Sequence, residues 1–233
     1  MLDESQHALE KSKVNMKRDL ETSLELYSQQ VLQLRETVLT EVPTSHEMPS
    51  EEAYAVINDF RRRVEVVQAR NDVLKPGLEI FNIESPDHKE LRDTEHDLEI
   101  AGQIWTLADD WARVFDQWKT KRFNKLDIVE MENMAGQFNK KVSKLGREIK
   151  RWGIWEQMRN KVTEFLQTMP LILDLRNPAM RTRHWASLKK ELQRQFDETS
   201  VNFTLESVFS TGLSTVPHLV AELSANANKE LAI

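Results

Sequence analysis

At 233 residues, with 39% hydrophobic and 30% charged positions, the chain has limited core-forming material and much solvated surface, a composition that suits elongated helical packing better than a compact globule. Its 32 basic and 38 acidic residues leave a net charge of −6, so there is no cationic excess to hold a nucleic-acid backbone. Cysteine is absent, which excludes disulfides and thiolate metal sites; there is also no apolar run of about 18 residues to span a membrane, and the start Met1-Leu2-Asp3-Glu4-Ser5 lacks the regions of a secretory signal. A soluble, cytoplasmic protein is expected.

Residues 2 to about 42 contain neither Pro nor Gly, and Leu9, Met16, Leu20, Leu24, Tyr27, Val31, Leu34 and Val38 recur at helical spacing. From Leu24 the steps are 3, 4, 3, 4, a narrow packing seam; the extra four-residue step from Leu20 to Leu24 is a stutter that locally unwinds a supercoil. This predicts a long bundle helix, with a homodimerising coiled coil as the alternative. Pro43 to Pro49 breaks it, and Ser50 before Glu51 and Glu52 reads as an amino-terminal cap. The stripe Ala53, Ile57, Phe60, Val64, Val67, Asn71, Leu74 then alternates fours and threes, which suits antiparallel packing on the first helix. Asn71 on that line either fixes register or marks a wet seam end near Pro76-Gly77. Gly77 to Pro86, holding Leu78, Ile80, Phe81 and Ile83, reads as a packed loop.

From Asp87 to about Lys119 the chain is helical with two apolar lines, Leu91, Leu98, Ala101, Trp105, Ala108, Phe115 and Ile104, Leu107, Trp111, Val114, Trp118. Two lines make a wide face that meets neighbours on two sides. Asp127 to Trp152 carries Met131, Met134, Phe138, Val142, Leu145, Ile149 and Trp152 on one stripe; after Gly153 the stripe resumes with Trp155, Met158, Val162, Phe165 and Met169, predicting one kinked helix or two in near line. The basic run Lys140, Lys141, Lys144, Arg147, Lys150, Arg151 is read as spread around this helix. A solvated face is the expectation, with a site for an acidic partner surface as the alternative.

The most distinctive stretch follows, Met169 to Trp185. Pro170 and Pro178 each lack an amide donor and disfavour α geometry at the residue before, so the segment between them holds at most two short helical turns and a direction change is expected. Leu171, Ile172, Leu173 and Leu175 are too apolar for a solvated loop and must pack. Arg181, Arg183, His184 and Trp185 cluster just beyond: either Trp185 is buried under the proline turn with Arg stems across it, or the cluster is a docking surface. With both prolines locking φ and no Gly between Trp155 and Thr211, the stretch predicts a rigid corner instead of a hinge. A helix from about Pro178 through Leu188 and Leu192 to Arg194, a short one at Leu205 to Phe209 capped by Thr204, and a last one from Val216 capped by Ser214 or Thr215 complete the chain. The final stripe, Leu219, Val220, Leu223, Ala227, Leu231, runs out without a stop signal, which predicts a longer natural chain.

The run Pro170-Leu171-Ile172 through Asn177-Pro178-Ala179-Met180-Arg181 to Arg183-His184-Trp185, followed by Phe203-Thr204-Leu205 and Ala227-Asn228-Lys229-Glu230-Leu231, resembles the amino-terminal part of the linker of dynein heavy chains. Gly77-Leu78-Glu79-Ile80-Phe81, Ile104-Trp105 and Asp110-Trp111 resemble the same family in the same order, in a style closer to the axonemal than the cytoplasmic chains. The resemblance covers roughly residues 77–233 and implies that they form the amino-terminal linker bundle; residues 1–76 match only as a helical run-in, and the hairpin read from their stripes is expected to lie at the tail-linker junction. It also implies a mechanical arm between an ATPase ring and a tail, in a cilium or flagellum axoneme. The implied partners are the rest of the heavy chain, its AAA+ ring and tail, and other dynein chains, with no nucleic acid and no membrane. ATP and Mg belong to the parent motor, and no cofactor is expected in this segment.

Catalytic signatures are missing from the sequence itself: no phosphate loop, no G-x-G-x-x-G, no H-E-x-x-H and no G-x-S-x-G. His88 and His96 read as surface histidines. The segment is therefore expected to be no enzyme. A passive spectrin-like scaffold or protein-interaction module is the competing reading, but the six Trp show no repeat period. The expected architecture is all-α, an elongated bundle of long antiparallel helices.

Overall fold

Eight α-helices and two single 3-10 turns make up the ordered backbone of the computed structural model, which describes residues 2–232. Among those residues there is no β-strand; one isolated bridge pairs Arg122 with Thr204. The all-α class read from the periodicity holds. The chain divides into two compact units, Met1–Trp105 and Thr106–Ile233.

In the first unit, α1 (Leu2–Glu41) and α2 (Ser50–Ile80) form an antiparallel hairpin, and the leading part of α3 (Lys89–Thr120) lies along it. Tyr27, Val31, Leu34 and Val38 of α1 meet Phe60, Val64 and Val67 of α2 and Leu91 and Leu98 of α3 in one core. The seam of α1 is thus filled within the chain. Register is pinned by Arg35 Nη1 to Asp97 Oδ2 at 2.6 Å and by Trp105 Nε1 donating to the Pro43 carbonyl at 2.9 Å. Leu9 and Met16, expected on the seam, are exposed; the seam starts at Leu20, which packs against Gly77. Asn71 is half-buried.

Two local expectations fail here for one reason each. Ser50 does not cap α2, because Pro49 already holds extended geometry at ψ 141° and its own carbonyl accepts the Ala53 amide at 3.0 Å, making Ser50 the first helical residue. Gly77 to Pro86 is not a loop throughout: α2 runs through Pro76 to Ile80. The bond that Pro76 cannot donate would have gone to the Asp72 carbonyl; both residues are exposed, so water can take that place, while Leu78 gains the next buried position on the stripe. Asn82, at φ 51°, then closes the helix, with Ile83 N donating to Leu78 O at 2.9 Å and Asn82 N to Glu79 O at 3.2 Å.

The second unit holds the rest of α3 with α4 (Ile128–Ile149), α5 (Gly153–Leu175), α6 (Thr182–Leu192), α7 (Leu205–Ser210) and α8 (Pro217–Leu231). Trp111 lies edge-on to Phe138 at 5.2 Å and to Phe165 at 5.5 Å, and Trp118 stacks on Phe165 at 5.1 Å. These rings tie α3, α4 and α5 together. The last two helices of that set are not in line; they fold back as a hairpin through Lys150 to Trp152. The Trp155 indole donates to the Val142 carbonyl at 2.8 Å and its ring covers Gly146, where a Cβ would come within 2.4 Å of the ring. Gly146 is the vacancy the ring needs. The basic run is exposed throughout: with the buried stripe Met131, Ala135, Phe138, Val142, Leu145, Ile149 on one side, a 3.6-residue turn puts Lys140, Lys144 and Arg147 in one line on the opposite side, with Lys141 and Lys150 to either side of it. Thr204 caps α7 as expected, but Val216, not Ser214 or Thr215, precedes α8, with Pro217 in its first position.

Candidate functional site

The corner between α5 and α6 is built from the residues singled out in the sequence, though not in the form expected. The helix does not stop at Pro170. Pro170 sits on the exposed side of α5, and Ile172 follows Phe165 and Met169 on the buried stripe at steps of 4 and 3. Leu171, Ile172 and Leu175 are buried while Leu173 is 50% exposed, so the apolar segment is a helical end and not a turn. Burial of three aliphatics, at roughly 1.5–3 kcal/mol per side chain, outweighs the cost of about 3 kcal/mol for a proline inside a helix.

The change of direction comes one step later, at Asn177-Pro178-Ala179-Met180. Met180 N donates to the Asn177 carbonyl at 3.0 Å, closing a β-turn with Asn at its first position and exposed Pro178 at its second. The Asn177 side chain works in two directions. Its Oδ1 accepts from Ala179 N at 2.9 Å, and its Nδ2 donates towards the Ser224 hydroxyl at 2.9 Å, the Ser224 carbonyl at 3.1 Å and Asn228 Oδ1 at 3.1 Å, all on α8. Beside it, Arg176 Nη1 donates to the carbonyls of Phe123 and Leu126, each at 2.9 Å. The corner is fastened on both flanks.

Helix α6 begins at Thr182, later than the expected Pro178. Its start is fixed by buried His184, whose Nδ1 accepts from Arg181 N at 2.9 Å. That acceptance requires the neutral tautomer with its proton on Nε2, which faces Glu230 Oε2 at 3.3 Å. Arg183 pairs with the same carboxylate. The Arg183 hydrogen bond, aided by the charge of Arg183, holds the Glu230 carboxyl below the usual carboxylate range. Arg181 itself supplies backbone groups, and its side chain is exposed.

Trp185 is buried, as the first of the two sequence readings required; Phe196 and Phe203 meet it edge-on at 6.4 and 6.2 Å, and Phe203 in turn meets Phe123 at 5.7 Å. The cations sit one ring further out, Arg176 over Phe123 and Lys189 over Phe196. Lys189 also pairs with Glu198 at 2.6 Å. Sequence reasoning assigned no role to Arg176, Asn177, Ser224, Glu230 or Phe196. The signal for Asn177 was available, since Asn before Pro starts turns; Asn228 and Glu230 stood in a run that carries the family resemblance, but nothing local tied them to the corner 47 or more residues away.

Nothing in this arrangement pairs a nucleophile with a base, and among the described residues no three His, Asp or Glu stand where they could hold a metal ion. What the geometry does is tie the α5–α6 turn and α6 to α8. The family profile described as "Dynein heavy chain, N-terminal region 2" matches residues 91–233, a span that includes the whole corner and α8. The chain is 39% identical over 233 residues to the "Dynein-1-beta heavy chain, flagellar inner arm I1 complex" of Chlamydomonas reinhardtii, covering 100% of this chain and 5% of that protein. It is 41% identical over 179 residues to "Dynein axonemal heavy chain 2" of Homo sapiens, covering 76% of this chain and 4% of that one. Against "Dynein axonemal heavy chain 17" of Homo sapiens the identity is 23% over 198 residues, 85% of this chain and 4% of the other. The chain thus spans 4 to 5% of the length of these curated relatives.

Proposed function

The chain belongs to the dynein heavy chain family, as an amino-terminal region of axonemal type, and on that premise we propose that it is the start of the linker arm, the mechanical element that couples the motor's ATPase ring to its tail. Under this reading its partners are the remainder of the heavy chain, with ring and tail, and other dynein chains, and it works in the axoneme of a cilium or flagellum. ATP and Mg are bound and turned over elsewhere in the parent chain. This segment supplies stiffness and no catalytic group.

The observation that carries the reading is the fastening of the corner. An arm passes on force only where it does not bend, and here the turn between α5 and α6 is tied by Asn177 to α8 and by Arg176 to the Phe123–Lys125 turn and Leu126, with Trp185 packed on Phe203 just beyond it. The test is Asn177→Ala with Arg183→Ala in the full heavy chain, after circular dichroism shows that the same double variant of the 233-residue segment keeps its helix content. ATP turnover is expected to persist while microtubule gliding slows. Unchanged gliding with unchanged turnover would make the segment a passive scaffold.

A further inference from the structure

The tip of the α4–α5 hairpin departs from the charge balance of the molecule. Between Phe138 and Lys161 eight Lys or Arg stand against two Glu, in a chain whose net charge is −6. Lys140, Lys144 and Arg147 form a single exposed line opposite the buried stripe of α4; Lys141, Lys150, Arg151 and Arg159 are exposed around it. Helix stability does not account for the row. Cations in the last turn of a helix favour its negative end, which covers Arg147, but Lys140 and Lys144 precede that turn. Like charges four apart, as Lys140 and Lys144 are, disfavour a helix.

The row is also held on a stiff base. Trp155 of α5 is keyed into Gly146 and bonded to the Val142 carbonyl, so the helical turns between Lys140 and Arg147 are clamped from behind. Arg159 stacks on the outer side of that ring at 5.2 Å. The cations are thus presented with their backbone ordered in advance, which lowers the entropic cost of binding an anionic partner.

We propose that this hairpin tip is a docking surface for an acidic peptide segment of a partner protein. One row of cations along about two turns of helix, some 10 Å by the rise per residue, matches carboxylates spaced along a single peptide strand or helix face. The net charge of −6 opposes large polyanions such as a duplex or an anionic lipid surface, which favours a short acidic peptide.

The test is fluorescence anisotropy of a labelled poly-glutamate peptide against the 233-residue chain at low and at physiological salt. Binding that weakens as salt rises is expected, with a loss of about tenfold or more in the triple variant Lys140→Gln, Lys144→Gln, Arg147→Gln. These residues are exposed, so the variant should fold, which circular dichroism checks. A control of equal charge change, Lys11→Gln, Lys13→Gln, Lys17→Gln on exposed α1, should bind as the wild type does. An equal loss in the control would reduce the effect to net charge and overturn the proposal, as would absence of binding. Tighter binding of duplex DNA or of anionic phosphatidylserine vesicles at the same three residues would overturn the choice of partner.

Discussion

Trp185 keeps 9% of its surface exposed and touches two phenylalanines, one of which bridges to a third. Replacing it with Ala should therefore leave a void that Phe196 and Phe203 cannot close, and equilibrium unfolding should register a loss of about 3–5 kcal/mol. The suitable control is exposed Lys190→Ala, expected within about 0.5 kcal/mol of wild type; Lys189 is unsuitable because it pairs with Glu198. Equal stability of the two variants would mean that Trp185 is not part of the core. Glu230 gives a pH-dependent companion. Its carboxyl is held below the ordinary range by Arg183, so its contribution is in place above the unfolded value of about 4.3 and is lost as pH falls through the lower folded value. The melting-temperature gap between wild type and Glu230→Gln should be steady near neutrality and close under acid; a gap that widened under acid would contradict the Arg183 pairing.

Among the helices, two glycines of α4 make opposite forecasts. At Gly136 an added Cβ meets nothing within 4 Å, so Gly136→Ala should raise stability by about 0.5–1 kcal/mol through helix propensity. At Gly146 the same methyl would meet the Trp155 ring at 2.4 Å, so Gly146→Ala should cost about 1–3 kcal/mol as the indole is pushed from the Val142 carbonyl. Thermal melts of the two variants check both, and a stabilising Gly146→Ala would rule out the hairpin contact. These glycines look alike in the sequence, each a lone Gly inside a helical pattern. The stripes of α2, α3, α4 and α5 were legible because a 3.6-residue period is a local property. Whether Ile149 to Trp155 continues straight or doubles back depends on where a ring 9 residues beyond Gly146 lands, which no period encodes. The run of α2 through Pro76 and of α5 through Pro170 escaped for a related reason. Proline's local penalty is visible, but the burial that offsets it is decided by neighbours remote in sequence.

For the molecule as a whole, class and family were readable, and the corner was readable as a place but not as a mechanism. Pro170, Pro178 and Trp185 marked it; the ties to Ser224, Asn228 and Glu230 join residues about 50 apart and follow from the fold alone. With no phosphate-binding loop in the sequence, titration calorimetry of the 233-residue chain with MgATP should give no saturable heat at micromolar levels; saturable binding would call for a nucleotide site that the motifs do not contain. The dipeptide at the turn carries a last consequence, for how the protein ages. Asparagine deamidates when the next residue's backbone nitrogen attacks the side-chain amide, closing a succinimide and releasing ammonia. Asn177 is followed by Pro178, whose nitrogen has no hydrogen to give up, so that route is closed at the one asparagine whose amide is bonded across to α8. In peptide maps of protein held for weeks at mildly alkaline pH, aspartate and isoaspartate should accumulate at exposed asparagines outside the helices, such as Asn202, which precedes Phe203, before any appears at position 177.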